Sequence, residues 1–158
     1  MRNLIGPAFF ILPGLAMVFV GLHHVALGRA SPGWPTTNGI VQSSSVDARR
    51  ARNSHSYTYY LVVSYSYHVN GVSYTGHQIR YGSTSYNSVE GAQEDANRYG
   101  EGTTIQVHYR PEDPSESVLE PGLASPNIAW ILPGVGGLFL LIGVCGFIQG
   151  YRFQKRMG

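Results

Sequence analysis

YTYYLVVSYSYHVNGVSYTG, residues Tyr57–Gly76, decides the fold of the central part of this chain. Its odd positions run Tyr57, Tyr59, Leu61, Val63, Tyr65, Tyr67, Val69, and its even positions run Thr58, Tyr60, Val62, Ser64, Ser66, His68. Side chains alternate across a strand, so this period of two predicts a long strand with one apolar face. Asn70-Gly71 then predicts a hairpin turn, because a type I′ turn needs positive φ at both central residues. A two-residue turn pairs Val69 with Val72, Tyr67 with Tyr74 and His68 with Ser73. Continued, it also pairs His77 with Ser64 along a return strand reaching about Arg80.

Working outward, Gly39–Asp47 is an expected strand before the hairpin, and Thr103–Tyr109 alternates again after it. Pro111-Glu112-Asp113-Pro114 makes a turn toward a short Val118-Leu119 strand. Between them, Asn87 is the expected cap of one helix, with Glu90 as its N3 acid, an apolar stripe of Val89, Ala92, Ala96 and Tyr99, and Gly100 at C′. The middle therefore reads as an antiparallel sheet of about five strands with one helix against it.

The two ends are of another kind. Leu4–Leu27 and Pro121–Gly150 contain no Asp, Glu, Lys or Arg, and all nine acids lie between Asp47 and Glu120. About 20 uncharged apolar residues cross a bilayer as a helix. Both segments contain Ile-Leu-Pro-Gly, at Ile11–Gly14 and Ile131–Gly134. Spans tolerate proline and glycine because neighbouring groups re-satisfy the backbone. The second helix is expected to start at Ser125-Pro126, with Pro133 about a turn and a half inside. Pro13 and Pro133 lie at different depths in an antiparallel pair, so they should not meet. The fold class is thus membrane α plus extracytoplasmic β (α+β). The expected parts are residues 1–30, a first transmembrane helix; 31–124, a β-rich domain introduced by a stiff Ser31–Pro35 linker; and 125–158, a second transmembrane helix with a basic tail.

Charge sets the expected orientation. Arg2, Arg152, Lys155 and Arg156 flank the spans on one side, with Arg29 alone on the other, whereas Ser31–Asn127 carries six arginines against nine acids. Positive residues stay cytoplasmic. Both termini are expected inside the bacterial inner membrane, with the middle domain periplasmic. Trp34, Trp130 and Tyr151 are expected at the membrane interface, with Phe153 near them. A rival reading takes the first span as a signal peptide cleaved near Gly28-Arg29-Ala30, but its apolar run exceeds the ~7–15 residues of a signal core. The lone cysteine, Cys145, lies in the second span and forms no intrachain disulfide.

The order of motifs carries a resemblance. An apolar span precedes Trp34-Pro35-Thr36-Thr37-Asn38-Gly39-Ile40-Val41, then Tyr65-Ser66-Tyr67, Val69-Asn70-Gly71 and Tyr74-Thr75-Gly76. Tyr99-Gly100-Glu101-Gly102-Thr103 and Val107-His108-Tyr109-Arg110-Pro111-Glu112-Asp113-Pro114-Ser115 follow, then Val118–Gly122 and a second span. The chain resembles the bacterial "domain of unknown function 3592" family. The resemblance implies a membrane-anchored extracytoplasmic β-domain and brings no catalytic residue with it.

Chemistry-bearing residues are sparse. His68 and His77 share a face but stand four residues apart, about 13 Å at ~3.3 Å per residue. That is too far to share a zinc with ~2.0–2.1 Å bonds. His108 joins that polar face. No Gly-x-Ser-x-Gly, His-Glu-x-x-His or phosphate-binding glycine loop occurs, and Glu90, Glu94 and Asp95 read as a solvated helix face. A Ser/Thr/His-rich outer face ending in Tyr60, Val62 and Ile79 is a candidate docking surface. No enzyme activity, resident cofactor, metal, nucleic acid or small-molecule substrate is expected.

His23 and His24 are the weak cofactor candidates, as ligands to a tetrapyrrole or contacts to another subunit, because polar groups at such depth are uncommon. The stronger signal is glycine. Gly14 and Gly21 are seven apart in the first span, and the second carries Gly134, Gly136, Gly137, Gly143, Gly146 and Gly150. Small residues let helix backbones approach, so Gly14, Gly21, Gly134, Gly137, Gly146 and Gly150 are candidate helix-packing positions. Besides lipid, the expected partners are other integral membrane subunits or a second copy. The expected function is a non-catalytic accessory or scaffolding subunit of a larger inner-membrane complex, respiratory, photosynthetic or transport. The alternatives are an extracytoplasmic binding or sensing module for envelope ligands and, third in order, a metal- or pigment-binding protein.

Overall fold

The computed structural model describes residues 5–50, 56–82, 85–125 and 130–157. Two apolar helices belonging to the chain's ends flank an antiparallel β domain. The chain divides into two compact units, Met1–Ala26 with Ser125–Gly158, and Leu27–Ala124.

In the first unit, α1 (Ile5–Ala30) contains Pro13, and its antiparallel neighbour is the last helix, here α3 (Ile131–Met157). Their apolar stretches have mean hydropathies of 1.9 and 2.3, long and apolar enough to cross a membrane. Only 22% and 17% of these windows are buried, so neither is wrapped by protein as a soluble core helix is. Pro133 lies in the first turn of α3, not a turn and a half inside. There its missing N–H has no partner to lose and its fixed φ suits the helix. Ser125, expected to cap this helix, is not helical, and Pro126 lies outside the described residues.

The β domain is one sheet of six strands: β1 (Thr36–Arg50), β2 (Tyr57–Val69), β3 (Val72–Gly76), β4 (Ser85–Tyr86), β5 (Thr104–Arg110) and β6 (Asp113–Val118). The order is β3-β2-β1-β5-β6, with β4 also on β2. Asn70 and Gly71 have φ of 50° and 81°, as a type I′ turn requires. Val69 pairs with Val72, Tyr67 with Tyr74 and His68 with Ser73. The return strand ends at Gly76, earlier than expected, so His77 does not pair with Ser64.

Ending β3 there changes the side on which later residues fall. Ile79, expected on the outer face, is buried at 4% exposure in the core. Residues 78–81 run beside 119–124 instead: Leu119 N–H donates to Ile79 O at 3.0 Å, Glu120 N–H to the same oxygen at 2.7 Å, and Ala124 N–H to Tyr81 O at 2.8 Å. These bonds draw the two ends of the sheet together into a curled, nearly closed barrel.

Inside it lie Val41, Leu61, Val63, Tyr65, Tyr67, Val69, Val107 and Leu119, the odd-numbered face of β2 among them. Tyr65 crosses the interior: its hydroxyl donates to Gln78 O at 2.9 Å and stands 3.1 Å from Ser117 Oγ. Its ring occupies the space a side chain at position 76 would need, so Gly76 is required there. Tyr67 hydroxyl donates to Pro114 O at 2.6 Å. A bulge between Val41 and Ser43 inserts one residue into β1. It moves the inward positions from Gly39 and Val41 to Ser44 and Val46.

α2 (Val89–Asn97) closes one end of the barrel with Ala92 and Ala96. Its cap is Ser88 and not Asn87: Gly91 N–H donates to Ser88 Oγ at 3.3 Å. The expected Ser31–Pro35 linker is tied into the β domain through Ser31 and Trp34, both buried. Ser31–Gly33 form a turn of 3-10 helix, and Ser31, at 0% exposure, donates to Gly28 O at 3.0 Å and accepts from Gly122 N–H at 2.7 Å. Leu27, Tyr81 and Val118 pack with Trp34, so the domain begins at Leu27 and not Ser31.

Candidate functional site

The helical unit is built on two spacings. Along α1, Ile11, Gly14, Val18, Gly21 and Val25 are buried or half-buried at the alternating three-and-four spacing of a left-handed helix pair, with Met17 half-buried beside them. Along α3, Pro133, Gly136, Leu140 and Gly143 keep the same spacing, with Gly137, Phe139 and Gly146 half-buried beside them. The seams meet closely. A Cβ on Gly14 would lie 2.9 Å from Gly136 O, and one on Gly21 would lie 2.6 Å from Pro133 Cδ. Phe10 stacks on Phe139 with ring centroids 6.0 Å apart. Pro133 therefore meets Gly21 of the opposite helix.

Of the candidate packing glycines, Gly14 and Gly21 lie in this seam. Gly134 and Gly137 do not, since an added Cβ on either would meet nothing within 4 Å. At ~100° per residue the midpoint of Gly134 and Gly137 lies about 110° round the helix from that of Gly136 and Leu140. With Leu138, Leu141 and Val144 they line a shallow apolar groove bordered by Leu140. Of these three neighbouring glycines, Gly136 touches α1. Glycines one or two residues apart on a helix point to different sides, so the partner's register and not the composition decides between Gly134, Gly136 and Gly137. Gly146 is half-buried, and Gly150 and Tyr151 lie where only the backbone of α3 is described.

His23 and His24 are both exposed, with ring centroids 6.4 Å apart, and His23 stacks on Phe19. Among the described residues no group of three His, Cys, Asp or Glu side chains gathers as metal ligands. Trp130 is 45% exposed. Trp34, expected at a membrane interface, is instead a core residue, 9% exposed and edge-on to Tyr81 at 6.1 Å. The 3-10 turn before it folds the chain back and places its ring inside the domain.

The family model described as a domain of unknown function (DUF3592) matches residues 37–124. The chain belongs to that family. The match covers β1 through Ala124, whereas α1 and α3 lie outside it. No curated protein matches the chain.

The DUF3592 domain holds one polar cluster that sequence reasoning missed. Arg80 pairs with Glu120, and Arg98 pairs with Asp95. Tyr99 hydroxyl donates to Glu120 Oε1 at 2.6 Å, and Tyr86 hydroxyl donates to Asp95. Asp95 is therefore a bound member of a network and not part of a solvated face. The Tyr86 hydrogen bond, then Arg98, hold its carboxyl below the ordinary value. Burial, then Asp95, push the Tyr86 phenol up to about 12. Two arginines balance two carboxylates, so the cluster is neutral and fastens α2 to the segments that close the barrel. These residues lie far apart in sequence, and no motif announces them.

The outer face of the DUF3592 domain is mostly polar, with Ile40 and Val62 about half-exposed on it. His68 is exposed there, while His108, between Thr36 and Val118, has its Nδ1 buried without a hydrogen-bond partner.

Proposed function

We propose that this DUF3592 protein is a non-catalytic accessory subunit of an assembly in the bacterial inner membrane. α1 and α3 are its two spans, both termini are cytoplasmic, and the β domain lies on the far side. What carries the reading is the open face of α3. Gly134 and Gly137 contribute nothing to the packing against α1, and an added side chain at either would meet empty space. In lipid, apolar surface alone drives no helix association, and glycine matters where another backbone comes close. Leu138, Leu141 and Val144 beside them supply the flanks of a slot for a further helix.

Purification in a mild detergent tests this. The parent protein should retain at least one other integral membrane polypeptide in fixed ratio. Gly134→Leu with Gly137→Leu should lose it while still inserting, because leucine is well tolerated in spans. A parent recovered alone would contradict the reading. It would favour the second one, an envelope-ligand binding module, for which the half-exposed Ile40 and Val62 on the polar outer face speak.

A further inference from the structure

β1 changes its neighbours along its length. Thr36–Ile40 pair with β5, and of these Gly39 and Ile40 also pair with β2. Val41 makes the last backbone bonds on the β5 side, donating to Thr103 O at 3.0 Å and accepting from Gly102 N–H at 2.9 Å. Beyond the bulge, Ser43–Arg50 pair with β2, and among the described residues no strand pairs with them on the other side.

The N–H and C=O of a strand residue point the same way and alternate from one residue to the next. Val41 directs its pair toward β5, and the bulge adds one residue. Ser44, Val46 and Ala48 therefore direct theirs to the open edge. Such an edge is a template for another strand unless something blunts it. This one carries no proline, and Ala48 is small enough to let a second backbone approach.

We propose that this edge pairs antiparallel with the same edge of a second copy of the chain, about a two-fold axis at Ala48. Charge selects the register. With Ala48 opposite its own equivalent, Asp47 stands opposite Arg49 of the second copy, and Arg49 opposite Asp47. Within one chain Arg49 Nε already lies 3.1 Å from Asp47 Oδ2, with both side chains largely exposed, so pairing closes a square of alternating charges. A register centred on Asp47 would set like charges opposite each other, which is unfavourable. One centred on Val46 would leave both charges opposite serine. The contact is isologous, so it closes on itself and leaves no further edge. It does not depend on the helical face proposed above.

The test uses the full chain in detergent with Cys145→Ser, so that an introduced cysteine is the only one. In the proposed register, Ala48→Cys places two Cα atoms about 5.5 Å apart, within disulfide reach of ~4.4–6.8 Å. Mild oxidation should give a covalent dimer, and Ser45→Cys, about 20 Å from its equivalent at ~3.3 Å per residue, should not. A mixture of Asp47→Cys and Arg49→Cys proteins reads the same register at neighbouring positions and should cross-link between the two. Adding Asp47→Arg to Ala48→Cys should cut dimer yield roughly fivefold, and adding Arg49→Asp as well should restore it. Absence of dimer from both Ala48→Cys and the mixture would overturn the proposal. So would equal yields at Ala48→Cys and Ser45→Cys, or a yield indifferent to charge reversal.

Discussion

Gly14 and Gly136 occupy each other's side-chain space. A Cβ on Gly14 would lie 2.9 Å from Gly136 O, and one on Gly136 would lie 2.8 Å from Gly14 O. The backbones of α1 and α3 touch here, and any larger residue must push them apart. Gly14→Leu should therefore destabilise the helix pair by about 1–3 kcal/mol, the usual cost of overpacking a filled site. Gly134→Leu, which enters open space, should stay within about 0.5 kcal/mol. Unfolding in mixed micelles of rising SDS content compares the two, and equal losses would show that the seam is misplaced.

Gly71 has φ of 81° and an open Cβ direction, so only backbone conformation opposes a side chain there. Gly71→Val should cost about 1–2 kcal/mol through the forced left-handed geometry. A lowered melting temperature, with the oligomer unchanged, is the expected reading. An unchanged one would count against the type I′ turn and the register drawn from it.

The hairpin was the most legible part of the chain, because alternation and Asn70-Gly71 act locally and agree. Positions that depend on distant partners were not. Ile79 turns inward because the chain leaves β3 at Gly76 to run beside Leu119, and no local pattern carries that. Trp34 looks interfacial beside an apolar span, yet the Ser31–Gly33 turn folds it against Tyr81. The bulge after Val41 shifts which face of β1 is buried, and Gln42 bears no mark of it. In the helical unit the glycine content was legible, but the choice of Gly136 over Gly134 and Gly137 is made by α1.

Tyrosine ionisation gives a pH test. Burial, first among the causes, raises the phenols of Tyr65, Tyr67, Tyr81, Tyr86 and Tyr99 above their ordinary value. The unfolded chain loses these protons near pH ~10 while the native state keeps them. Stability should thus be intact below pH ~10 and fall as pH climbs above it. Absorbance at 295 nm should show these five phenols ionising only with alkaline unfolding. Tyr86→Phe should lessen the loss of stability up to pH about 12. One phase comprising all 11 tyrosines in folded protein would contradict the buried set.

The charge distribution makes a topological prediction. Arg152, Lys155 and Arg156 follow the second apolar segment, and only Arg29 opposes them and Arg2. Alkaline phosphatase fused after Gly158 should be inactive, whereas fused within residues 51–55 it should be active. The opposite pattern would invert the arrangement.

The open face of α3 is probed most directly by a photo-reactive amino acid placed in it in living cells. Leu138 and Leu141 are 57% and 65% exposed beside Gly134 and Gly137. If a further helix lies there, irradiation should yield, from both positions, a covalent adduct with the same second integral membrane polypeptide, identified by mass. Gly134→Leu with Gly137→Leu should abolish it. Adducts with lipid alone, or with no polypeptide common to both positions, would mean that α3 is only an anchor.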